Sequence, residues 1–182
     1  MVSNIFISIS REPIVDLGPF LSLKFCLSMY NGLLLFHSVL RWLILLLAII
    51  VIFRSVAGMM TPGRAFSKGD RRASLFLMIA AHTTLVVGLY LWCFGPWGLA
   101  NIQNLGFGGV MKDRVYRFYA VEHLFGMLVA IALITAGAGA AKRKISDASK
   151  FRRMFWCVLI ALILILATIP WPFMAGIARP WL

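Results

Sequence analysis

The sequence contains few acidic residues and few of the residues that build catalytic or metal sites in soluble proteins. Its 182 residues include 6 aspartates and glutamates, 3 histidines and 3 cysteines. The cysteines form neither a CxxC pair nor a CxxCH motif, which excludes a zinc ribbon and a c-type haem attachment site. Charged residues make up only 13% of the chain, whereas soluble domains have about 25%.

Apolar residues, in contrast, are in excess. They make up 62% of the chain, and the mean hydropathy is +0.91. Such a chain cannot cover a water-facing surface, so most of its surroundings must be lipid. Four segments approach the ~20 apolar residues that a membrane-spanning helix needs. The predicted fold is all-α, an up-down bundle of four transmembrane helices at about 31–53, 73–94, 118–141 and 151–171.

Residues 1–28 differ in character from the rest of the chain. Pro13 and the Gly18-Pro19 pair are expected to break any long helix, which predicts a short N-terminal arm. Met29 opens the first apolar segment, so a natural translation start at this residue is a second interpretation. Residues 29–182 are expected to form one transmembrane domain, in which the Gly- and Asn-rich segment 95–117 is an irregular outer cap.

The positive charge is concentrated between the apolar segments. Of the 18 lysines and arginines, 11 lie in segments 54–74 and 142–153, and only 3 lie in segment 95–117. The positive-inside rule therefore predicts that the first and third loops are cytoplasmic and that both termini are outside. Basic loops beside an anionic lipid leaflet also account for the net charge of +12, which argues against nucleic-acid binding.

All three histidines fall inside predicted spans, where ionisable residues usually mark functional sites. His37 lies about six residues into the first span and His123 about five residues into the third, which places both about 8–9 Å below the outer edge. Because these helices face each other diagonally in an up-down bundle, the two imidazoles suit the two axial positions of one haem b. His82 is nearer mid-membrane and is the alternative ligand if the depths are misjudged.

Charged residues near the same level suggest partners for such a group. Arg41 lies on the same helix face as His37, and Glu122 is the only carboxylate within a predicted span. One interpretation is a structural Arg41–Glu122 ion pair that joins two helices. In the other, Arg41 binds a haem propionate, and Arg114 and Arg117 bind propionates at the outer surface.

Four sequence patterns carry a resemblance to a known family. They are MYNGLLLFHSVLRW from Met29, AAHTTLVVGLYLW from Ala80, VYRFYAVEHLFGM from Val115 and the terminal IPWPF. Residues 29–182 resemble small bacterial four-span membrane proteins catalogued as cytochrome b. The resemblance implies a multi-pass protein of the bacterial cytoplasmic membrane that binds haem b and transfers electrons, with His37, His82 and His123 as the matching histidines.

The resemblance also limits the number of haems. The chain lacks the paired histidines on two helices that mark the large two-haem cytochrome b, so one haem is expected. Electrons would pass between the quinone pool and a membrane or periplasmic redox partner. Two alternatives stay open at this point. One is a haem-free accessory or assembly protein whose histidines form interhelical hydrogen bonds, and the other is a copper-handling protein with His and Met ligands.

Overall fold

The computed structural model describes residues 18–179, with side chains described from residue 28. This part of the chain is helical and contains no strand. Its five helices are α1 (Gly18–Met60), α2 (Lys68–Phe94), α3 (Leu99–Lys112), α4 (Arg114–Lys142) and α5 (Asp147–Thr168). Helix α4 includes a π turn at Phe118–Glu122 and ends in a 3-10 turn at Ala140–Lys142.

Helices α1, α2, α4 and α5 are long and apolar enough to cross a membrane, which confirms the predicted four spans. Their outward faces carry large apolar side chains that a water-soluble protein would bury. Phe53 is 70% exposed, and Val86 and Phe125 are each 67% exposed. A surface of this kind is stable against lipid acyl chains and marks a multi-pass membrane protein.

The flanking segments contain more helix than the sequence predicts. Residues 18–28 extend α1, which begins at Gly18. Pro19 lies in its first turn, where a missing N–H costs no helical hydrogen bond. The outer cap is also not irregular, because it contains α3, which is bent at Gly106 with a φ of 68°. Residues 1–17, and with them most of the expected arm, lie outside the described residues.

The spanning helices form a ring in which α1 and α4 are diagonal. Helix α1 packs against α2 and α5, and α4 packs against the same two helices. Each helix contributes one fully buried alanine to the centre of the bundle: Ala48, Ala81, Ala130 and Ala161. Small residues at helix contacts allow the backbones to approach closely, which is the usual source of packing energy inside a bilayer.

One end of the bundle, called here the basic end, is formed by residues 54–70 and 142–153. Its centre is Asp70, whose side chain is 1% exposed and forms ion pairs with Arg54 at 2.9 Å and Arg64 at 3.0 Å. The same carboxylate accepts hydrogen bonds from Ser67 in a capping box that starts α2. Phe151 of α5 packs directly on Gly58, so the basic end is closed.

The opposite end, called here the aromatic end, is formed around Tyr30, Trp92, Trp97 and Tyr119. The Trp92 indole Nε1 donates to the backbone carbonyl of Ala120, 3.0 Å away, which ties the end of α2 to the π turn of α4. Aromatic residues with a polar edge are typical of the level where a bundle meets the lipid headgroups.

Candidate functional site

The bundle encloses a cavity of about 490 Å³ between its centre and the aromatic end. Its lining is mainly apolar and includes isoleucines from α1, α4 and α5, such as Ile44, Ile131 and Ile165. Leu34 and Leu35 line the cavity and are also 37% and 52% exposed, so it has a side opening towards lipid. The volume lies in the ~300–1,000 Å³ range of ligand and cofactor sites.

His37 of α1 and His123 of α4 meet across this cavity. Their ring centroids are 6.4 Å apart and the ring planes are inclined by 65°. A metal held between two imidazoles lies about 2.0–2.1 Å from each nitrogen, which places the two ring centroids about 6.3 Å apart. The distance between the two ring centroids is therefore compatible with one metal ion bound to both imidazoles.

The orientation of His123 is set by a backbone carbonyl. His123 Nδ1 donates a hydrogen bond to the carbonyl of Thr168 at 2.8 Å, which leaves Nε2 available as a ligand. Thr168 is the last residue of α5. In a continued helix its carbonyl would accept a hydrogen bond from the N–H of residue 172, but Pro172 has no N–H. A backbone carbonyl on the second nitrogen is the usual support of a metal-binding histidine.

Both prolines of the IPWPF segment leave a backbone carbonyl of α5 without its usual helical hydrogen bond. Pro170 removes the N–H that would bond the carbonyl of Leu166 in a continued helix. That carbonyl instead accepts a hydrogen bond from the Trp171 indole Nε1 at 2.8 Å. Both carbonyls freed by the prolines are therefore bonded by ring N–H groups.

His37 packs against a glycine of α2. A Cβ atom at Gly88 would lie 3.0 Å from His37 Cε1 and 3.5 Å from its Nδ1, so a larger residue would press on the ring and displace it by a few tenths of an ångström. The backbone carbonyl of Thr84 faces the same ring. The buried Nδ1 nevertheless makes no hydrogen bond of normal geometry within the described part of the chain. Orphaned buried polar atoms of this kind are rare and usually have a functional explanation.

The π turn immediately precedes His123. The backbone N–H of His123 donates to the carbonyl of Phe118, five residues earlier rather than four. The extra residue in this turn rotates the residues before it relative to those after it. π turns inside α-helices are frequent at functional sites.

The arginines selected from the sequence lie in different places. Arg41 lines the cavity, one turn beyond His37. Arg114 is exposed and lies outside the cavity lining. Arg117 pairs with Glu122 at 2.7 Å and also donates to the carbonyl of Met111.

The sequence left open an Arg41–Glu122 ion pair or a propionate partner for Arg41, and in the structure Glu122 pairs with Arg117. Glu122 is exposed near the aromatic end and uses its carboxylate for Arg117, and no ion pair to Arg41 occurs between these described side chains. Neither Arg114 nor Arg117 is among the residues that line the cavity.

His82 lies on another face of the bundle. It is exposed, and its Nδ1 donates to the carbonyl of Met78 at 2.8 Å. With Thr83 of α2 and Thr135 of α4 it lines a separate open groove. This position gives no support to its expected role as an alternative ligand in the His37–His123 cavity.

Sequence reasoning missed Gly88, Thr168 and Arg179 as parts of this site. Gly88 could have been found as a glycine on the Ala81 and Thr84 face of an apolar helix. The Thr168 carbonyl could have been found from the proline four residues later. Arg179 lies beyond the last span in a segment without periodic signal, so nothing in the sequence marks it as part of the cavity.

His37 and His123 are the two imidazoles among the residues that line the cavity. Among residues 28–179 no three or more His, Cys, Asp or Glu side chains are grouped to hold a metal ion. Comparison with known protein families, curated proteins and solved structures gives no match, so function must be argued from this site.

Proposed function

We propose that this chain is a haem b-binding cytochrome subunit of the bacterial cytoplasmic membrane that takes part in electron transfer. One observation carries the proposal: the ring centroids of His37 and His123 lie 6.4 Å apart across an apolar cavity, so both imidazoles would be able to hold the iron of one haem. When bound, haem would supply an iron that alternates between the ferrous and ferric states.

The residues of the chain supply position and environment. The Thr168 carbonyl holds His123 in the tautomer with a free Nε2, and Gly88 leaves room for the His37 ring. The apolar lining excludes water and lowers the local dielectric constant, which tunes the redox potential of a buried iron.

The proposed direction of exchange follows from position and charge. The cavity lies towards the aromatic end, opposite the basic end that the positive-inside rule assigns to the cytoplasm. The side opening beside Leu34 and Leu35 is a path by which a lipid-soluble quinone approaches the site. We therefore place the exchange between the quinone pool and a redox partner at the outer face.

Absorption spectra test the proposal. The full chain purified in detergent is expected to show a sharp b-type α-band in its reduced-minus-oxidised spectrum. His37→Ala and His123→Ala should each abolish this band, because each removes one of the two imidazoles that would hold the iron. His82→Ala is the matched control and should retain it, because His82 lies in a separate groove.

The outcomes separate the three functions considered. No chromophore in the wild-type chain would favour a haem-free accessory protein, and bound copper without porphyrin would favour metal handling. A band that survives His37→Ala or His123→Ala but is lost in His82→Ala would refute the assignment of ligands.

A further inference from the structure

Arg179 is held at the mouth of the cavity by the segment that follows α5. Its backbone N–H donates to the carbonyl of Pro170 at 3.3 Å, which folds this segment back over the aromatic end. Tyr119 also holds this segment by a hydrogen bond, because its hydroxyl donates to the carbonyl of Ile177 at 2.6 Å. Arg179 Nε in turn donates to the Tyr119 hydroxyl oxygen at 3.0 Å.

The guanidinium of Arg179 is also packed against two aromatic rings. Its central carbon lies 4.6 Å from the centroid of Trp97 and 4.9 Å from that of Tyr119. Such contacts stabilise a cation and restrict its rotation. The terminal Nη groups form no hydrogen bond within residues 28–179, so their four N–H donors remain available.

The charge of the cavity lining indicates the kind of ligand that these donors suit. Arg41 and Arg179 both line the cavity, and the described lining residues include no aspartate or glutamate. An apolar cavity with guanidinium groups favours a molecule that is largely apolar but carries acidic groups. Arginine binds carboxylates through two parallel hydrogen bonds, which makes a fixed guanidinium edge selective for them.

We infer that Arg179, held by Trp97 and Tyr119, binds a carboxylate side chain of the porphyrin at the mouth of the cavity. This inference rests on the proposed haem-binding function. It gives Arg179 the role that the sequence suggested for Arg114 and Arg117, which lie outside the lining. The segment after α5 is then a part of the binding site and not only the end of the last helix.

Binding of two porphyrins by the full-length apo-protein in detergent tests the inference. The first probe is haemin, which has two propionates, and the second is haemin dimethyl ester, in which both are uncharged. We expect Arg179→Leu to raise the Kd for haemin about 10- to 100-fold, as expected for the loss of a charge-assisted hydrogen bond. The Kd for the diester should change much less, because the ester has no carboxylate to lose.

Two further variants control for charge and folding. Arg114→Leu removes the same charge from the aromatic end outside the cavity and should leave both Kd values unchanged. Arg179→Lys keeps the positive charge but loses the paired N–H donors, so it should reduce the preference for haemin over its diester by less than Arg179→Leu does. It provides the measurement if Arg179→Leu does not fold.

The results distinguish the two proposals. If the wild-type chain binds neither porphyrin, the haem-binding function is wrong and this inference is wrong with it. If the wild type binds haemin but Arg179→Leu retains the full preference over the diester, only the assignment of Arg179 is wrong. Equal weakening of both porphyrins by Arg179→Leu would likewise overturn it, because that result indicates a structural role.

Discussion

Gly88→Ala is the smallest substitution that tests whether the ring of His37 is positioned for ligation. The new methyl carbon would lie 3.0 Å from His37 Cε1. Because this is closer than an ordinary carbon–carbon contact, the ring must move by a few tenths of an ångström or tilt. Metal–ligand distances tolerate only about ±0.2 Å, so the displaced imidazole should no longer bind well. We expect weaker haem binding and partial conversion from a low-spin to a high-spin spectrum.

The matched control is Gly139→Ala, because a Cβ at this position of α4 meets nothing within 4 Å. Each substitution should favour its helix by about 0.5–1 kcal/mol, so a general loss of helix stability is not expected from either. The haem content, the absorption spectrum and the unfolding temperature of the two variants should be compared with those of the wild type. Only Gly88→Ala should change the haem content and the absorption spectrum.

An unchanged spectrum and an unchanged haem content in Gly88→Ala would refute the reasoning. They would mean that His37 does not lie against Gly88 when the chain binds its ligand. The same conclusion would follow if Gly139→Ala had an equal effect, since the change would then come from the helix and not from the contact with His37.

Two other predictions concern the orientation of the chain in the membrane and the stability of the basic end. In a cysteine-free background, Ser67→Cys and Ser149→Cys should react with thiol reagents only from the cytoplasmic side. Asn104→Cys should react only from outside. Labelling of Asn104→Cys from the cytoplasmic side would overturn the predicted orientation. Asp70→Asn should lower the free energy of unfolding by about 2–4 kcal/mol, because it leaves Arg54 and Arg64 without their buried carboxylate. Solvent screens part of this loss, since the Arg54 side chain is 40% exposed. Thermal unfolding in detergent measures the loss, and the effect of Asp147→Asn, which removes a more exposed pair with a lysine, should be smaller. Equal losses of unfolding free energy in Asp70→Asn and Asp147→Asn would mean that the burial of Asp70 contributes little to stability.

The spanning helices were predictable because a bilayer imposes a simple requirement. About 20 apolar residues must be consecutive, and the hydropathy of this chain satisfies that condition four times. The facing of His37 and His123 was also predictable, because their depths follow from residue counts along two parallel helices. Haem binding by these residues and the orientation of the termini stay predictions.

The remaining features depend on interactions that residue counts do not describe. The pairing of Arg117 with Glu122 is an example, because residues five apart do not face each other on a regular α-helix. They meet here because the π turn changes the number of residues per turn. The same turn brings Glu122 to an exposed position, so the expected pair with Arg41 is not formed.

The two ends of the bundle are built on different principles, and the difference bears on function. The basic end is closed by packing and by a buried ion-pair cluster around Asp70. At the aromatic end the regular helical hydrogen bonds are interrupted by a π turn and by two prolines. Within lipid an interrupted helix is tolerated only where other groups satisfy the freed carbonyls. Here one of those groups is the His123 imidazole, so the interruption of α5 at its end is what orients the candidate ligand towards the cavity.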